Sequence, residues 1–384
     1  MPDLAVIPVR ADRQDEQLRA RVRAFLTEQL ASGCFVPSAD AWLTGFDPRF
    51  TKALATKGWV GLTIPTEYGG HGVTALQRYV VIEELLAAGA PIAAHWFSDR
   101  QIAPALLSHG TEEQKRRYLP AIAAGECFFC LGMSEPDAGS DLAAVRTRAT
   151  RTQDGWLLNG RKVWTSGAHH AHAVMLLART ATQADGPKHA GLSQFVVDLP
   201  TEGVTVRPIL LTSGAHHFNE VIFDNVHLPA TALLGAEGQG WKQVTAELAY
   251  ERSGPERFLS TMPLLVSVVR HQDRSAITPL LAERLGGLLS RAWALRQLSL
   301  GVAGALSRGE TPDAAAALVK DLGTTFEQDV VDVIQQVITP GALPGDSEIR
   351  RVLAQSVMQS PGFTLRGGTN EILRGVVARN LGLR

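Results

Sequence analysis

Ten residues from Gly132 to Asp141 (Gly-Met-Ser-Glu-Pro-Asp-Ala-Gly-Ser-Asp) gather glycine, small side chains and hydroxyls into one stretch. That composition lets backbone N–H groups come close to an acceptor-rich ligand, and it serves equally well as a tight polar turn leading out of a buried strand. Cys127 and Cys130 have the spacing of a redox or zinc pair, but no second pair exists and the two intervening phenylalanines read as a buried strand. His169, His170, His172, His216 and His217 could suggest a metal. Adjacent histidines on a strand point to opposite faces, however, and no carboxylate is spaced with them, so they read as satisfied or surface side chains. By composition alone, Glu251-Arg252 reads as a surface ion pair.

The elements that must carry these residues follow from periodicity. Leu18, Val22, Phe25, Leu26 and Leu30 recur at helical steps between charged positions, and Tyr79–Ala88 and Gln101–Leu107 are likewise apolar-periodic. Gly110-Thr111-Glu112-Glu113-Gln114 supplies a break, a Thr N-cap and a Gln at the third helical position, which marks a helix start. From about Cys127 the period changes to short β-rich runs, Gly155–Trp164, His172–Arg179, Ser193–Asp198, Gly203–Leu211 and Asn219–Asp224. Asn159-Gly160 is the favoured pair for a two-residue hairpin turn. After Gly240 helical spacing returns through Leu281–Leu300, Ala314–Ile338 and Glu348–Met358, with breaks at Thr339–Gly345 and Gln359–Gly362. The predicted order is an N-terminal all-α domain (1–126), a middle β-domain (127–238) and a C-terminal α-helical domain (239–384). Ser-Gly-Ala-His-His occurs twice in the β-domain, at Ser166–His170 and Ser213–His217, and one such coincidence does not make a repeat architecture.

Composition excludes several classes. At 384 residues, 45% of them hydrophobic and 20% charged, the chain is too apolar for disorder and long enough for two or three cores. Lys plus Arg (37) nearly cancels Asp plus Glu (38), so no basic excess advertises nucleic acid or an anionic membrane surface. The longest apolar stretches, such as Ala173–Ala178 and Met262–Val269, fall far short of the roughly 20 residues that cross a bilayer. Three cysteines cannot build a disulfide framework and MPDLAVIPVR offers no apolar export segment, so a soluble protein of the reducing cytoplasm is expected.

Six segments in chain order closely resemble signatures of the acyl-CoA dehydrogenase family. They are Trp59–Gly72 (WVGLTIPTEYGGHG) with Glu83-Glu84-Leu85, Gly110–Pro120 (GTEEQKRRYLP), Gly132–Asp141, Gly155–Gly167, Leu234–Trp241 (LGAEGQGW) and Gly367–Ile372 (GGTNEI). One such match is weak, but six in register over nearly the whole chain make it similar to the FAD-dependent, bacterial-type members. The resemblance implies a helical N-terminal domain, a middle β-barrel or sandwich domain and a C-terminal four-helix bundle, with FAD between the β-domain and the bundle. It also implies a reaction: a base removes the α-proton of an acyl-CoA thioester, the β-hydrogen leaves as hydride to flavin N5, and the trans-2-enoyl-CoA results. An electron-transfer flavoprotein is the implied acceptor. Carried over by position, Leu131, Met133, Ser134, Gly139 and Ser140 wrap the isoalloxazine, with Ser134 standing where the family usually has Thr. Trp164, Thr165 and Ser166 form the second wall, the Ser166 hydroxyl falls at flavin N5, and Ser140 falls where the thioester-bearing arm of CoA is gripped. Gly368, Thr369 and Glu371 complete the cofactor set, and no metal is implied.

The common family pattern places the catalytic Glu in a Tyr-Glu-Gly-Thr motif near the C-terminus. Here the run is Arg366-Gly367-Gly368-Thr369, with Gly367 at the base position. Some members instead carry the Glu on the first long helix after the β-domain, immediately before an Arg, and Ala249-Tyr250-Glu251-Arg252 reproduces that spacing from Gly240. The resemblance therefore implies Glu251 as base and Arg252 as a structural or substrate-side cation, and leaves the Gly367 N–H to polarise the thioester carbonyl. On a helical wheel Trp241, Val244 and Leu248 form an apolar stripe with Glu251 at its flank, where partial burial raises a carboxylate toward the range of a general base.

Two family elements that hold the FAD pyrophosphate and adenine, Arg-x-x-Phe-Gly and Gln-x-x-Gly-Gly-x-Gly, are not matched: Glu256–Leu264 reads ERFLSTMPL and Gln335–Gly345 reads QQVITPGALPG. Either the chain binds FAD with substitute residues as a homotetramer, or a related second subunit completes the site as a hetero-oligomer. A catalytically silent partner subunit and a flavin oxidase on the same fold are the other readings. Retention of Glu251, Ser134, Ser140 and Ser166 argues against silence, and nothing signals the oxidase. The family pattern makes a base on this helix compatible with long, branched or bulky acyl chains, and a bulky or branched acyl-CoA is expected.

Overall fold

Asp12 opens the first helix by accepting the Asp15 N–H at 2.8 Å, while the Asp15 carboxylate takes the Asp12 N–H at 3.1 Å. That helix, α1 (Arg13–Ala31), buries Leu18, Val22, Phe25 and Leu26, the stripe its periodicity predicts. The computed structural model describes residues 12–181, 187–271, 278–310, 312–337 and 347–383, and within them not the side chains of 247–251. After α1 come α2 (Ala41–Thr44), α3 (Pro48–Thr56), α4 (Ala75–Ala87), α5 (Ala93–Phe97), α6 (Ala103–His109) and α7 (Glu112–Ala123). Eight strands follow: β1 (Phe129–Gly132), β2 (Arg148–Arg151), β3 (Gly155–Ser166), β4 (Ala173–Arg179), β5 (Leu192–Asp198), β6 (Val204–Leu210), β7 (His216–Pro229) and β8 (Leu233–Leu234). The chain returns to helix with α8 (Gly240–Ser253), α9 (Met262–His271), α10 (Pro279–Ser307), α11 (Asp313–Val337), α12 (Glu348–Phe363) and α13 (Asn370–Asn380). No helix among the described residues is long and apolar enough to cross a membrane.

Contacts divide the chain into two units whose boundaries cut across the linear order of helices and strands. The first joins the stretch up to Gly45, Val73–Ile92 and the chain from Ala249 onward; the second joins Phe46–Gly72 with Ala93–Leu248. In the first unit, Val302 of α10 packs with Ala315, Ala316 and Val319 of α11, and Tyr79 of α4 with Leu300 and Ala303. Glu83 and Glu84 are buried on α4, and three guanidinium groups surround them. Arg19 Nη1 reaches Glu83 at 2.8 Å and also bonds Glu84, Arg23 Nε reaches Glu84 at 2.7 Å, and Arg296 Nε reaches Glu83 at 2.5 Å. Carboxylates taken out of water at this depth are tolerable only when so paired, so the cluster fastens α4 to α1 and α10.

In the second unit the sheet order is β6-β7-β3-β2-β4-β5-β8, with β1 added in parallel to β4. One core holds Trp156, Leu176, Phe195, Val221 and Phe223; another packs Ile64, Leu106, Leu119 and Ile122 against Phe129 and Met175. Each such side chain contributes roughly 1.5–3 kcal/mol through burial. The Thr111–Gln114 capping box forms as the sequence predicts, and Gln114 Nε2 goes on to donate to the Thr231 carbonyl at 2.8 Å.

Two sequence-based expectations are corrected. Asn159-Gly160 makes no hairpin turn, because β3 runs straight through it with a bulge against β7. Gly160 is glycine because a Cβ there would lie 2.4 Å from Thr147 Oγ1, and the left-handed residue is Asn225 (φ 49°) inside β7, whose N–H donates to Asn159 Oδ1 at 2.8 Å. The break expected at Gln359–Gly362 is instead the last turn of α12, which carries Pro361 inside it and is anchored by fully buried Phe363. The break expected at Thr339–Gly345 lies outside the described residues.

Candidate active site

β1 delivers the chain into the Gly132–Asp141 loop, which folds back on itself through reciprocal Glu135–Ala138 backbone bonds of 2.9 and 3.1 Å. Such a loop has few backbone partners of its own, and β3 supplies them from beneath. Fully buried Lys162 donates to the Met133 carbonyl at 3.1 Å and to Glu135 Oε1 at 2.8 Å, while Glu135 also accepts the N–H groups of Arg146 (2.6 Å) and Thr147 (2.9 Å). Burial pushes the Lys162 ammonium down to about 8, against the pull of Glu135. Burial also pushes Glu135 up, but Lys162 together with the Thr147 and Arg146 bonds outweighs it and holds the carboxyl below its ordinary value. The Val163 N–H then donates to the Ser134 carbonyl at 2.9 Å and stitches the loop to the strand.

Immediately beyond that stitch β3 slips register against β7 between Lys162 and Thr165, and Trp164, 55% exposed, takes φ 59° with its ring edge-on to Phe218. A left-handed tryptophan costs about 1–2 kcal/mol, and such strain collects at functional sites. Thr165 beside it is wholly buried with a hydroxyl that has no hydrogen-bond partner among the described residues, and Ser166 is half-buried. Met133 and Ser134 are thus brought next to Trp164, Thr165 and Ser166 within one unit. Leu131 lies inside β1 opposite Met175, while Gly139 and Ser140 sit exposed at the loop tip.

The two Ser-Gly-Ala-His-His segments meet. His169 and His170 stand on a 3-10 turn rather than a strand, so their rings are not sent to opposite faces but lie 3.9 Å apart. His169 stacks on His216 at 4.0 Å and His170 on Phe46 at 4.1 Å. Asn219 bonds His216 at 2.9 Å and His169 at 3.1 Å, and donates to the Thr165 carbonyl at 3.0 Å. Burial and the neighbouring imidazoles push His169 down to about 4, so it stays neutral. No group of three or more His, Cys, Asp or Glu among the described residues is placed to hold a metal. Burial pushes the Cys127 thiol up to about 11 and Cys130 higher still, which suits core cysteines rather than thiolates.

The other candidate residues lie in the first unit. Glu251 is on the last turn of α8, and its side chain lies outside the described residues. Its neighbour Arg252 donates from Nε to the Gly367 carbonyl at 3.4 Å. Gly367 and Gly368 both take left-handed φ angles (69° and 86°) in the turn between α12 and α13, which glycine adopts without strain. Lys320 of α11 spans this turn, reaching the Thr364 carbonyl at 2.9 Å and Asn370 Oδ1 at 2.6 Å; burial, with Arg257 and Arg366 nearby, pushes it down to about 7. Thr369 caps α13 by accepting the Ile372 N–H at 3.4 Å, and the exposed Glu371 is held below its ordinary value by hydrogen bonds at that helix start. Sequence reasoning missed Glu135, Lys162, Asn219 and Lys320 as supports. The Gly-rich loops themselves were the available signal, since chain without its own ladder must be held by side chains from elsewhere.

The chain matches models of the acyl-CoA dehydrogenase N-terminal domain over residues 12–126, middle domain over 130–226 and C-terminal domain over 238–382. Acyl-CoA dehydrogenase IpdE1 of Mycobacterium tuberculosis is 34% identical over 385 residues, covering 96% of this chain and 97% of that one. Acyl-CoA dehydrogenase FadE34 of the same organism is 35% identical over 342 residues, which are 86% of this chain but 45% of FadE34, so the chain spans less than half of that relative. Among solved structures, the Tcur3481-Tcur3483 steroid ACAD superposes with a TM-score of 0.85 at 29% identity, covering 98% of this chain and 100% of that one.

Proposed function

Because the chain belongs to the acyl-CoA dehydrogenase family of oxidoreductases, whose members are FAD-dependent flavoproteins, we propose that it binds FAD and dehydrogenates an acyl-CoA thioester between Cα and Cβ. One observation carries the reading. The strained, exposed Trp164 stands beside a buried Thr165 hydroxyl without a partner among the described residues, on a strand stitched to Ser134. An aromatic face and a cluster of hydroxyls suit the edge and plane of an isoalloxazine, which accepts and donates hydrogen bonds around a flat ring. FAD, when bound, supplies the acceptor for the β-hydride.

The protein's own residues do the rest. Met133, Ser134, Trp164, Thr165 and Ser166 would hold the flavin, with Leu131 and Gly139 along the loop and the Ser166 hydroxyl as the donor available to N5. Ser140 holds the thioester arm. The Gly367 N–H donates to the thioester carbonyl oxygen, which acidifies the α-proton, and Glu251 removes that proton. Arg252 fixes the Gly367 peptide from its carbonyl side. Gly368, Thr369 and Glu371 take the cofactor side of the same turn. The product is the trans-2-enoyl-CoA, with electrons passed to an electron-transfer flavoprotein.

A second reading concerns assembly. Large exposed apolar side chains concentrate on the first unit, Leu289 and Trp293 of α10 (63% exposed for the Trp) among them, and such surfaces mark protein partners. A related subunit, as in the steroid enzyme whose name joins two proteins, would complete the FAD site where the sequence lacks the adenine-side motifs. We favour a bulky, branched or ring-bearing acyl group for the same kinship. The test is the flavin spectrum of the chain purified alone, followed by anaerobic addition of branched and steroid-like acyl-CoAs. Yellow protein bleached by one of them supports a self-sufficient dehydrogenase, and colourless protein that takes up no FAD supports the half-site. If Glu251→Gln left the bleaching rate intact, the base assignment would be wrong.

A further inference from the structure

Arg257 has no part in the chemistry above, yet it is 1% exposed and its guanidinium faces Gly367. A Cβ built on Gly367 would lie 2.7 Å from Arg257 Nη2, 3.0 Å from Cζ and 3.1 Å from Nη1. The absent side chain at this position has therefore not left a void, because a cation fills it. We infer that Arg257 decides which helix supplies the base: it occupies the side-chain space of position 367 and would neutralise a carboxylate placed there, which leaves deprotonation to α8. The inference rests on the reading of Glu251 as base.

The guanidinium is not free to swing aside. Arg257 closes the short 3-10 turn Pro255–Arg257, its N–H donating to the Gly254 carbonyl at 3.1 Å. Its carbonyl is so close to α11 that a Cβ on Gly323 would lie 2.4 Å away. Its head lies over the Trp42 ring at 5.5 Å, and Trp42 is itself buried. A Glu at 367 would therefore press its Cβ against the guanidinium, closer than van der Waals contact, so that one of the two must shift and the carboxylate is left beside the cation. Such a partner favours the ionised carboxylate by one to three pKa units and binds its oxygens by charge-assisted hydrogen bonds, so the group would be both a weaker base and turned from its proton. The glycine accordingly adds no acyl-binding volume at that point. Chain bulk must be accommodated elsewhere.

The test returns the carboxylate to position 367 with and without its captor. Glu251→Gln/Gly367→Glu and the same protein with Arg257→Met are compared for the rate of anaerobic flavin bleaching by the acyl-CoA that bleaches the wild type. Expected is a double variant within threefold of Glu251→Gln and a triple variant at least thirtyfold faster. A double variant within tenfold of wild type, or a triple variant no faster than the double, overturns the inference. Should Glu251→Gln itself match wild type, the base reading fails, and a measurement needing neither flavin nor substrate still decides the role of Arg257. Urea unfolding should find that Gly367→Ala lowers the folding constant at least thirtyfold when Arg257 is present and by less than tenfold in the Arg257→Met background. Equal losses in both overturn it. If Arg257→Met does not fold, Arg257→Gln, which shortens the side chain and keeps a polar head, takes its place in both experiments.

Discussion

Replacing Lys162 by Met removes the buried ammonium beneath the Gly132–Asp141 loop while keeping the stem that packs in the core. Two bonds vanish, to Glu135 Oε1 (2.8 Å) and to the Met133 carbonyl (3.1 Å), and the Glu135 carboxylate stays buried. Breaking a buried pair costs about 3–5 kcal/mol. Glu135 keeps the N–H groups of Arg146 and Thr147, so the lower end applies, about 3 kcal/mol. That is about a hundredfold in the opening constant of the loop. Hydrogen exchange of peptides covering 133–147 and 160–166 should quicken by about that factor, led by the Val163 amide that bonds Ser134. The pH dependence should also change sign. In the wild type Glu135 sits below its ordinary value, so its contribution is present above the unfolded carboxylate pKa and is lost as pH falls through the lower folded one. Without Lys162, burial, the largest single influence on Glu135, is no longer offset by a cation, so the folded carboxyl rises above its unfolded value and stability falls as pH climbs from the unfolded value to the folded one. Unchanged exchange together with a stability loss below about 1 kcal/mol would refute the idea that this pair holds the loop.

Trp164→Gly should leave the flavin-free protein within about 1 kcal/mol of wild type, since relief of the left-handed strain offsets the lost ring contact; flavin retention on gel filtration should fall at least tenfold. Asn219→Ala removes the side-chain bonds to the Thr165 carbonyl, His216 and His169 and should cost about 2 kcal/mol in urea unfolding, with the exchange of β3 around Thr165 quickened. Glu327 is fully buried, and burial pushes it up to about 7 from 4.5. A carboxyl raised in the folded state contributes stability below its unfolded pKa and loses it as pH rises, so wild type should lose about 3 kcal/mol between pH 4.5 and 7 relative to Glu327→Gln. Parallel pH–stability curves for the two proteins would count against that assignment.

Helices were legible where an apolar stripe recurred, as at Leu18 and Val22, or where a cap marked the start, as at Thr111 with Gln114. Those signals are local. Asn159-Gly160 misled because two physical demands select the same residue: a primed turn wants glycine for its φ, and close backbone approach to Thr147 wants glycine for its missing Cβ. Pairing across β3 and β7 settled the matter, and no window of sequence carries that pairing. The histidines misled for a similar reason, since the rule that neighbours point apart holds for strands, and His169-His170 lies just beyond the strand end. In the candidate site, small residues and hydroxyls announced the loops themselves. Their supports could not be read in the same way, because a buried Lys or Asn inside an otherwise ordinary strand or helix looks like a surface residue until its partners are known.

Those supports share a physical logic. Each glycine-rich loop lacks a ladder of its own, and each is underpinned by one wholly buried lysine that bonds a loop carbonyl and a side-chain acceptor: Lys162 with Met133 and Glu135, Lys320 with Thr364 and Asn370. A lysine suits the task because its apolar stem can lie in a core while three donors emerge at the tip. The two differ in the charge of the acceptor. Lys162 faces a carboxylate and keeps its proton to about 8; Lys320 faces a neutral amide, with Arg257 and Arg366 nearby, and is pushed to about 7. Loss of a proton leaves an amine that still donates but no longer with full charge, so the tie across the Gly367 turn weakens at a lower pH than the tie beneath the Ser134 loop. On the proposed assignment that turn carries the N–H that polarises the thioester, whereas the Ser134 loop only cradles the flavin. Alkaline pH should therefore erode the proton-abstraction half of the chemistry before it erodes cofactor retention.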